Sequence, residues 1–224
     1  MTGSYLKSSI GKKQLMAITG LAWCGFVLGH MAGNLFYLVG PEAFNSYGHA
    51  ITKTKEIYYA IEVGLLLTFT LHVLFALLVV LDNIKARPIG YAVGQQKSDK
   101  SAASLASRTM KYSGLVILVF TVLHLITFRF GPYYSINHGG VEMRNLYQLM
   151  GEVFSNALYV GWYIVALGVL GLHLSHALWS GLQTLGLIMP YRETLMQRIS
   201  YAYGWIVALG FIANPVYIYF FQRG

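Results

Sequence analysis

Histidine has the most chemistry to offer in this chain. Five of the seven histidines (His30, His72, His124, His173 and His176) fall inside long apolar stretches, whereas His49 and His138 fall in the connections and read as ordinary exposed residues. Ionisable side chains within a membrane are costly and usually functional. A single one is explained as easily by a hydrogen bond to a neighbouring helix as by ligation. One on each of four successive apolar segments is much harder to explain by packing.

The elements that must position these histidines follow from composition. The chain has 224 residues, of which 56% are hydrophobic and 11% charged. About 20 apolar residues make a helix that crosses a bilayer. Five stretches reach that length, about Leu15 to Val39, Ile57 to Leu81, Tyr112 to Phe130, Leu158 to Ile188 and Tyr201 to Phe221. The expected fold is one all-α membrane domain over residues 1–224, its first four helices forming the histidine-bearing bundle. The first stretch is too long for a signal peptide and lacks a small-residue cleavage site. The fourth must tilt or project beyond the lipid. The single cysteine, Cys24, excludes an internal disulfide and cannot supply the four thiolates of an iron–sulfur cluster; it reads as a small buried residue.

The net charge of +8 does not point to nucleic acid, because the basic residues sit in short connections beside apolar spans, where they set topology. Eleven Lys and Arg lie on the side of the N-terminus and five on the other. This places the N-terminus in the cytoplasm and the C-terminus outside. The connection from Asn83 to Ser107, rich in Gly, Gln, Ser and Lys, reads as a solvated cytoplasmic loop, either a docking surface for a soluble partner or a plain linker.

Depth sorts the histidines. His30 lies 16 residues past Gln14 and His124 lies 13 past Lys111, both on helices running outward. His72 lies ten residues before Asp82 and His173 ten before Gln183, both on helices running inward. At about 1.5 Å per residue, His30 and His124 share an outer layer, and His72 and His173 an inner one. Six-coordinate haem iron takes two axial ligands, often histidine, and bundle cores commonly hold such cofactors. Structural zinc, which takes four ligands, fits poorly with layers of two. Gly25, Gly29 and Gly33 form a small-residue stripe beside His30 that serves either close helix packing or the approach of a flat macrocycle. His176, three residues after His173, is the alternative inner ligand; otherwise it would hydrogen-bond a propionate or a neighbouring backbone.

The order and spacing of several motifs resemble the single-chain, di-haem cytochrome b membrane subunit of succinate dehydrogenase and quinol:fumarate reductase. They are SSIGKKQLMAITG, LGHMAGNL around His30, GPEAFNSYGHA, TLHVLFALL around His72, SRTMKYSG leading to LHLI at His124, and GLHLSHALWSGLQTLG around His173. The resemblance covers essentially the whole chain, although no one motif is highly specific. It implies two haem b groups, ligated by His30 with His124 and by His72 with His173. The fourth-helix ligand of the family lies six residues before an aromatic residue, here Trp179, which favours His173 over His176. It further implies propionate contacts resembling Gln14, Arg108 and Lys111, and an iron–sulfur and a flavoprotein subunit docked on the cytoplasmic side. Such a heterotrimer would sit in the cytoplasmic membrane of a prokaryote, with a dimer of heterotrimers open to it. One departure is Gly171, where some relatives carry a glutamate implicated in proton movement; that route cannot be carried over.

The function so implied is anchoring and electron transfer to or from a membrane quinone, with two haems making menaquinone plausible. Quinone chemistry needs a proton-accepting group near the outer haem. Glu62 is the only carboxylate well inside a span; its alternative role is a helix-end carboxylate that reaches water. Asn34, one turn outward of His30, is a second candidate, or else an interhelical hydrogen-bonding residue. Tyr47, His49 and Glu56 are further candidates on the same side. Two other classes remain open: a di-haem cytochrome b of another dehydrogenase or hydrogenase, and a haem-free transporter whose histidines relay protons.

Overall fold

A computed structural model describes residue 5, residues 8–86 and residues 105–222. The greater part of the connection expected to dock a partner, residues 87–104, lies outside the described residues. Five helices are long and apolar enough to cross a membrane, over Ser9–Leu38, Lys55–Ala86, Thr109–Arg129, Ala157–Thr184 and Pro190–Phe221. Their regular parts are α1 (Ser9–Asn34), α3 (Lys55–Ala86), α4 (Leu105–His124), α6 (Ala157–Thr184) and α7 (Glu193–Phe221). Two short helices, α2 (Pro41–Thr52) and α5 (Leu146–Phe154), and an antiparallel hairpin of β1 (Ser135–His138) and β2 (Val141–Arg144) fill the connections at one end. That end is the far face; the near face is the one at which α1 begins.

Capping residues account for several boundaries. Ser8 starts α1 by accepting from the Gly11 N–H, and Asn156 starts α6 by accepting from the N–H groups of Leu158 and Tyr159. The fourth span ends at Thr184, four residues before the expected Ile188. Gly186 takes φ 72° there, a left-handed conformation suited to a helix end. The fifth span begins earlier than Tyr201. Glu193, Gln197 and Arg198 carry too little hydropathy to mark a span, yet they form the first turns of α7.

Helix α1 lies along α3 and α6, and α6 lies along α4 and α7. No residue of α3 is buried, whereas α6 buries nine, so α6 is the structural centre. Its contact with α7 is made through glycine. A Cβ at Gly204 would stand 2.5 Å from the Gly171 carbonyl oxygen, and one at Gly171 would stand 2.9 Å from Ala208 Cβ. Gly171 therefore serves close helix approach, and a glutamate at this position would collide with α7. Buried Ser200 donates to the Ser175 carbonyl at 2.7 Å across the same contact. Gly204→Val overpacks this seam at an expected cost of about 1–3 kcal/mol. Thermal unfolding in detergent is expected to show a lowered Tm for it. Gly161→Ala, at a position where a Cβ meets nothing within 4 Å, is expected to leave Tm nearly unchanged.

Side chains tie the short elements of the far face together. Asn45 on α2 donates to Asn145 Oδ1 at 3.0 Å and accepts from the Tyr147 N–H at 3.0 Å, which fixes α2 against α5. Tyr37, almost fully buried, stacks on Tyr147 with ring centres 4.1 Å apart and donates to Gln222 at the end of α7. Asn34, at the end of α1, gives its backbone carbonyl to Asn214 Nδ2 at 2.8 Å.

Candidate functional site

The four span histidines expected to act as ligands form two pairs. The rings of His30 on α1 and His124 on α4 have centres 6.0 Å apart and planes at 83°. Two imidazoles bound through nitrogen at about 2 Å to opposite sides of one metal ion have ring centres about 6 Å apart. His72 on α3 and His173 on α6 are likewise close enough to interact electrostatically. Neither pair joins helices that lie closely along one another; each spans the interior between them.

Hydrogen bonds to neighbours orient the rings. His72 Nδ1 lies 3.1 Å from the Met16 carbonyl, which can only accept, so Nδ1 carries the proton and Nε2 presents its lone pair. Thr19 Oγ1 lies 3.3 Å from the same nitrogen while its own hydrogen is directed to α1 carbonyls. His173 Nδ1 lies 2.9 Å from Ser113 Oγ, whose hydroxyl donates to the Met110 carbonyl, so His173 Nδ1 is again the donor. His124 Nδ1 lies 3.1 Å from the hydroxyl of buried Tyr163. A metal-binding histidine held through its other nitrogen by such a partner has its tautomer and ring direction fixed.

The layers are real in space. His72 sits at the level of Met16 to Gly20 of α1, and a Cβ at Gly20 would stand 2.9 Å from His72 Cε1. His30 is ten or more residues further along the same helix, about 15–20 Å away. The glycine stripe divides between its two readings. A Cβ at Gly25 or Gly29 meets nothing within 4 Å, which leaves space, whereas Gly33 is packed against the Tyr47 ring. Aromatic side chains line the far layer: Phe26 stacks on His30 at 5.4 Å, and Phe120 and Phe128 flank His124 at 5.7 and 5.2 Å. Among the described residues, no three His, Cys, Asp or Glu side chains gather as they do around structural zinc.

The other candidates separate. His176 meets Trp179 edge-on at 5.9 Å and, among the described residues, has no hydrogen-bonded anchor of the kind that holds His72, His124 and His173. Trp179 Nε1 is buried without an acceptor among the described residues, so it is a donor that an anionic group could use. Gln14 accepts from the Tyr5 hydroxyl, and Lys111 lies over the Tyr112 ring at 4.8 Å. The Arg108 side chain lies outside the described residues. Near these, Lys12 pairs with Asp82 at 2.6 Å, a contact between α1 and α3 that spacing did not reveal.

On the far side, Glu62 is held by Arg129, with Nε to Oε1 at 2.5 Å and a second bond to Oε2 at 3.1 Å. It is therefore neither a lone buried carboxylate nor simply a helix end in water. Asn34 Nδ2 donates to the His30 carbonyl at 2.8 Å and lies 3.5 Å from His30 Nε2. Tyr47 stacks on Phe36, Glu56 is exposed, and His49 is half-buried rather than exposed as expected. His138 pairs with Glu42 at the surface. Beyond the spans, hydrogen bonds from Tyr134 and Gln148 hold Glu152 below the usual carboxylate range, and burial lowers the Arg144 guanidinium.

The chain is 25% identical over 190 residues, 84% of its length and 84% of the relative's, to the succinate dehydrogenase cytochrome b558 subunit of Bacillus subtilis. The likeness to the succinate dehydrogenase cytochrome b family, read first in the motifs, stands. No family model matches the chain, and no solved structure matches it significantly.

Proposed function

We propose that this chain is the di-haem cytochrome b subunit that anchors a succinate dehydrogenase or fumarate reductase complex and carries electrons between its iron–sulfur subunit and a membrane quinone, menaquinone being the expected one. The observation that carries the reading is the pair of histidine layers, one of which has ring centres at a spacing at which the two side chains could hold one iron between them. His72 and His173 would hold the haem nearer the cytoplasmic partners, and His30 and His124 the outer one. The near face, with its excess of basic residues, is the cytoplasmic side on this reading. Each haem, when bound, supplies a one-electron carrier within the membrane.

The chain's own residues do the rest. Met16 and Ser113 hold the inner histidines by their Nδ1 protons, which leaves the Nε2 lone pairs for a ligand bond. Gly25 and Gly29 leave room beside His30 for a flat ring, and the aromatic side chains around His30 and His124 exclude water. Trp179 Nε1, with Gln14 and Lys111, offers donors to the propionates of the inner group. Glu62 is the proton-exchanging group for a quinone beside the outer layer. Asn34 is proposed as a further quinone contact. The dicarboxylate chemistry belongs to the flavoprotein partner.

Pyridine haemochrome analysis of the purified chain is expected to give two protohaems per chain. A c-type spectrum is not expected, because the sequence has no C-x-x-C-H attachment motif. Absence of haem, or a c-type spectrum, would overturn the proposal and favour a haem-free use of the histidines.

A further inference from the structure

Arg129 is placed by an irregular stretch of backbone. After His124 the last turn of α4 widens into a π-helical turn over Leu125–Arg129, a distortion common at functional sites. The chain then reverses at Gly131, where a Cβ would run into the Thr127 carbonyl. The result directs the Arg129 guanidinium across to α3, where it makes two bonds to Glu62. The same guanidinium lies 5.7 Å from the Tyr58 ring centre and 5.4 Å from that of Phe130, so it has aromatic faces beside it as well as a carboxylate. Arg144 on β2 also acts on this cluster: it is within electrostatic reach of Arg129 and Tyr58, its Nη2 donates to the Pro132 carbonyl, and its Nε is buried without an acceptor among the described residues. The charged and titratable groups around Glu62 are thus Arg129, Arg144, Tyr58 and Tyr59, with two guanidinium groups against one carboxylate.

A carboxylate held at both oxygens by a guanidinium takes a proton only by giving up charge-assisted hydrogen bonds. We propose that Arg129 is a gate on Glu62: its two hydrogen bonds occupy both carboxylate oxygens at rest and must open, the guanidinium staying against the Tyr58 and Phe130 rings, for a proton to pass between Glu62 and the quinone. In the quinol direction, the quinol O–H bond breaks, a Glu62 O–H bond forms, and the bonding electrons stay on the quinol oxygen. The reverse transfer serves quinone reduction. Arg129 is a positioning residue here, and the proposal rests on the reading of Glu62 as the proton-exchanging group.

The test uses the whole purified complex with a soluble quinone or quinol analogue, in both directions, over a range of pH. Arg129→Gln removes the charge that favours the carboxylate. Quinol oxidation, which needs the carboxylate, then fails at a higher pH on its acid side, and quinone reduction, which needs the carboxylic acid, persists to a higher pH. Both profiles are expected to move upward by about one pH unit or more, while Arg129→Lys, which keeps the charge, leaves them near their original position. Profiles that fall in height without moving, in a complex where Glu62→Gln nearly abolishes turnover, overturn the gate alone. Near-normal turnover in Glu62→Gln overturns the reading beneath it as well. Infrared difference spectra of the unaltered complex keep the proposal testable if Arg129→Gln does not assemble. A carboxyl signal that appears with quinone turnover and is lost in Glu62→Gln is expected, and absence of any such signal overturns the gate.

Discussion

If the chain holds two haems as proposed, replacing His173 by alanine is expected to remove one of them, halving the haemochrome yield and abolishing the low-spin signal of the inner group, while His176→Ala retains both haems and at most shifts one potential. The two residues are three apart on α6 and differ in what holds them. His173 Nδ1 donates to Ser113 on α4, whose own hydrogen is committed to the Met110 carbonyl, so the ring is fixed with Nε2 free. His176 only meets the edge of Trp179. A fixed ring and tautomer favour ligation, and outer partners of this kind commonly change metal affinity by about 10–100-fold. Ser113→Ala should therefore weaken the inner haem without removing His173. Loss of the inner signal in His176→Ala alone would reverse the assignment.

The sequence made the histidine layers legible because depth along a helix is arithmetic: a rise of about 1.5 Å per residue converts position into level without any knowledge of packing. It could not show what lies beside each ring. Ser113, Thr19 and Tyr163 orient three histidines, yet hydroxyl residues are common in spans and nothing in their spacing marks these three. Gly20, the glycine against which His72 rests, lies outside the regular stripe at Gly25, Gly29 and Gly33 and so carries no mark in the sequence. The helix ends at Ile188 and Tyr201 were misplaced for a different reason. Hydropathy locates apolar content, whereas Gly186 and the polar first turns of α7 decide where the helices stop and start. The far-face helices α2 and α5 are too short to mark a span, and the contacts that seat them, such as Asn45 with Asn145, join residues far apart in the chain.

Glu62 shows the same limit at the residue proposed to exchange protons with the quinone. Its position inside a span was readable, but Arg129 had been counted only among the charges that set topology. The partnership sharpens what Glu62→Gln should do. Glutamine keeps the size and can still accept from Arg129, so the contact between α3 and the end of α4 is expected to persist and both haems to assemble. What is lost is the titratable group. Reduction of a quinone takes up two protons with two electrons, and positioned proton transfer commonly contributes about 10²–10⁴-fold in rate. Quinone turnover by the complex is therefore expected to fall by about that factor. Succinate oxidation with an artificial dye acceptor, which draws electrons from the partner subunits, is expected to continue unchanged and so reports that those subunits remain intact. Near-normal quinone turnover would leave Glu62 and Arg129 as a structural ion pair between two helices. The proton-exchanging group would then be sought at Asn34, whose amide already lies beside His30, or at Tyr47, His49 and Glu56.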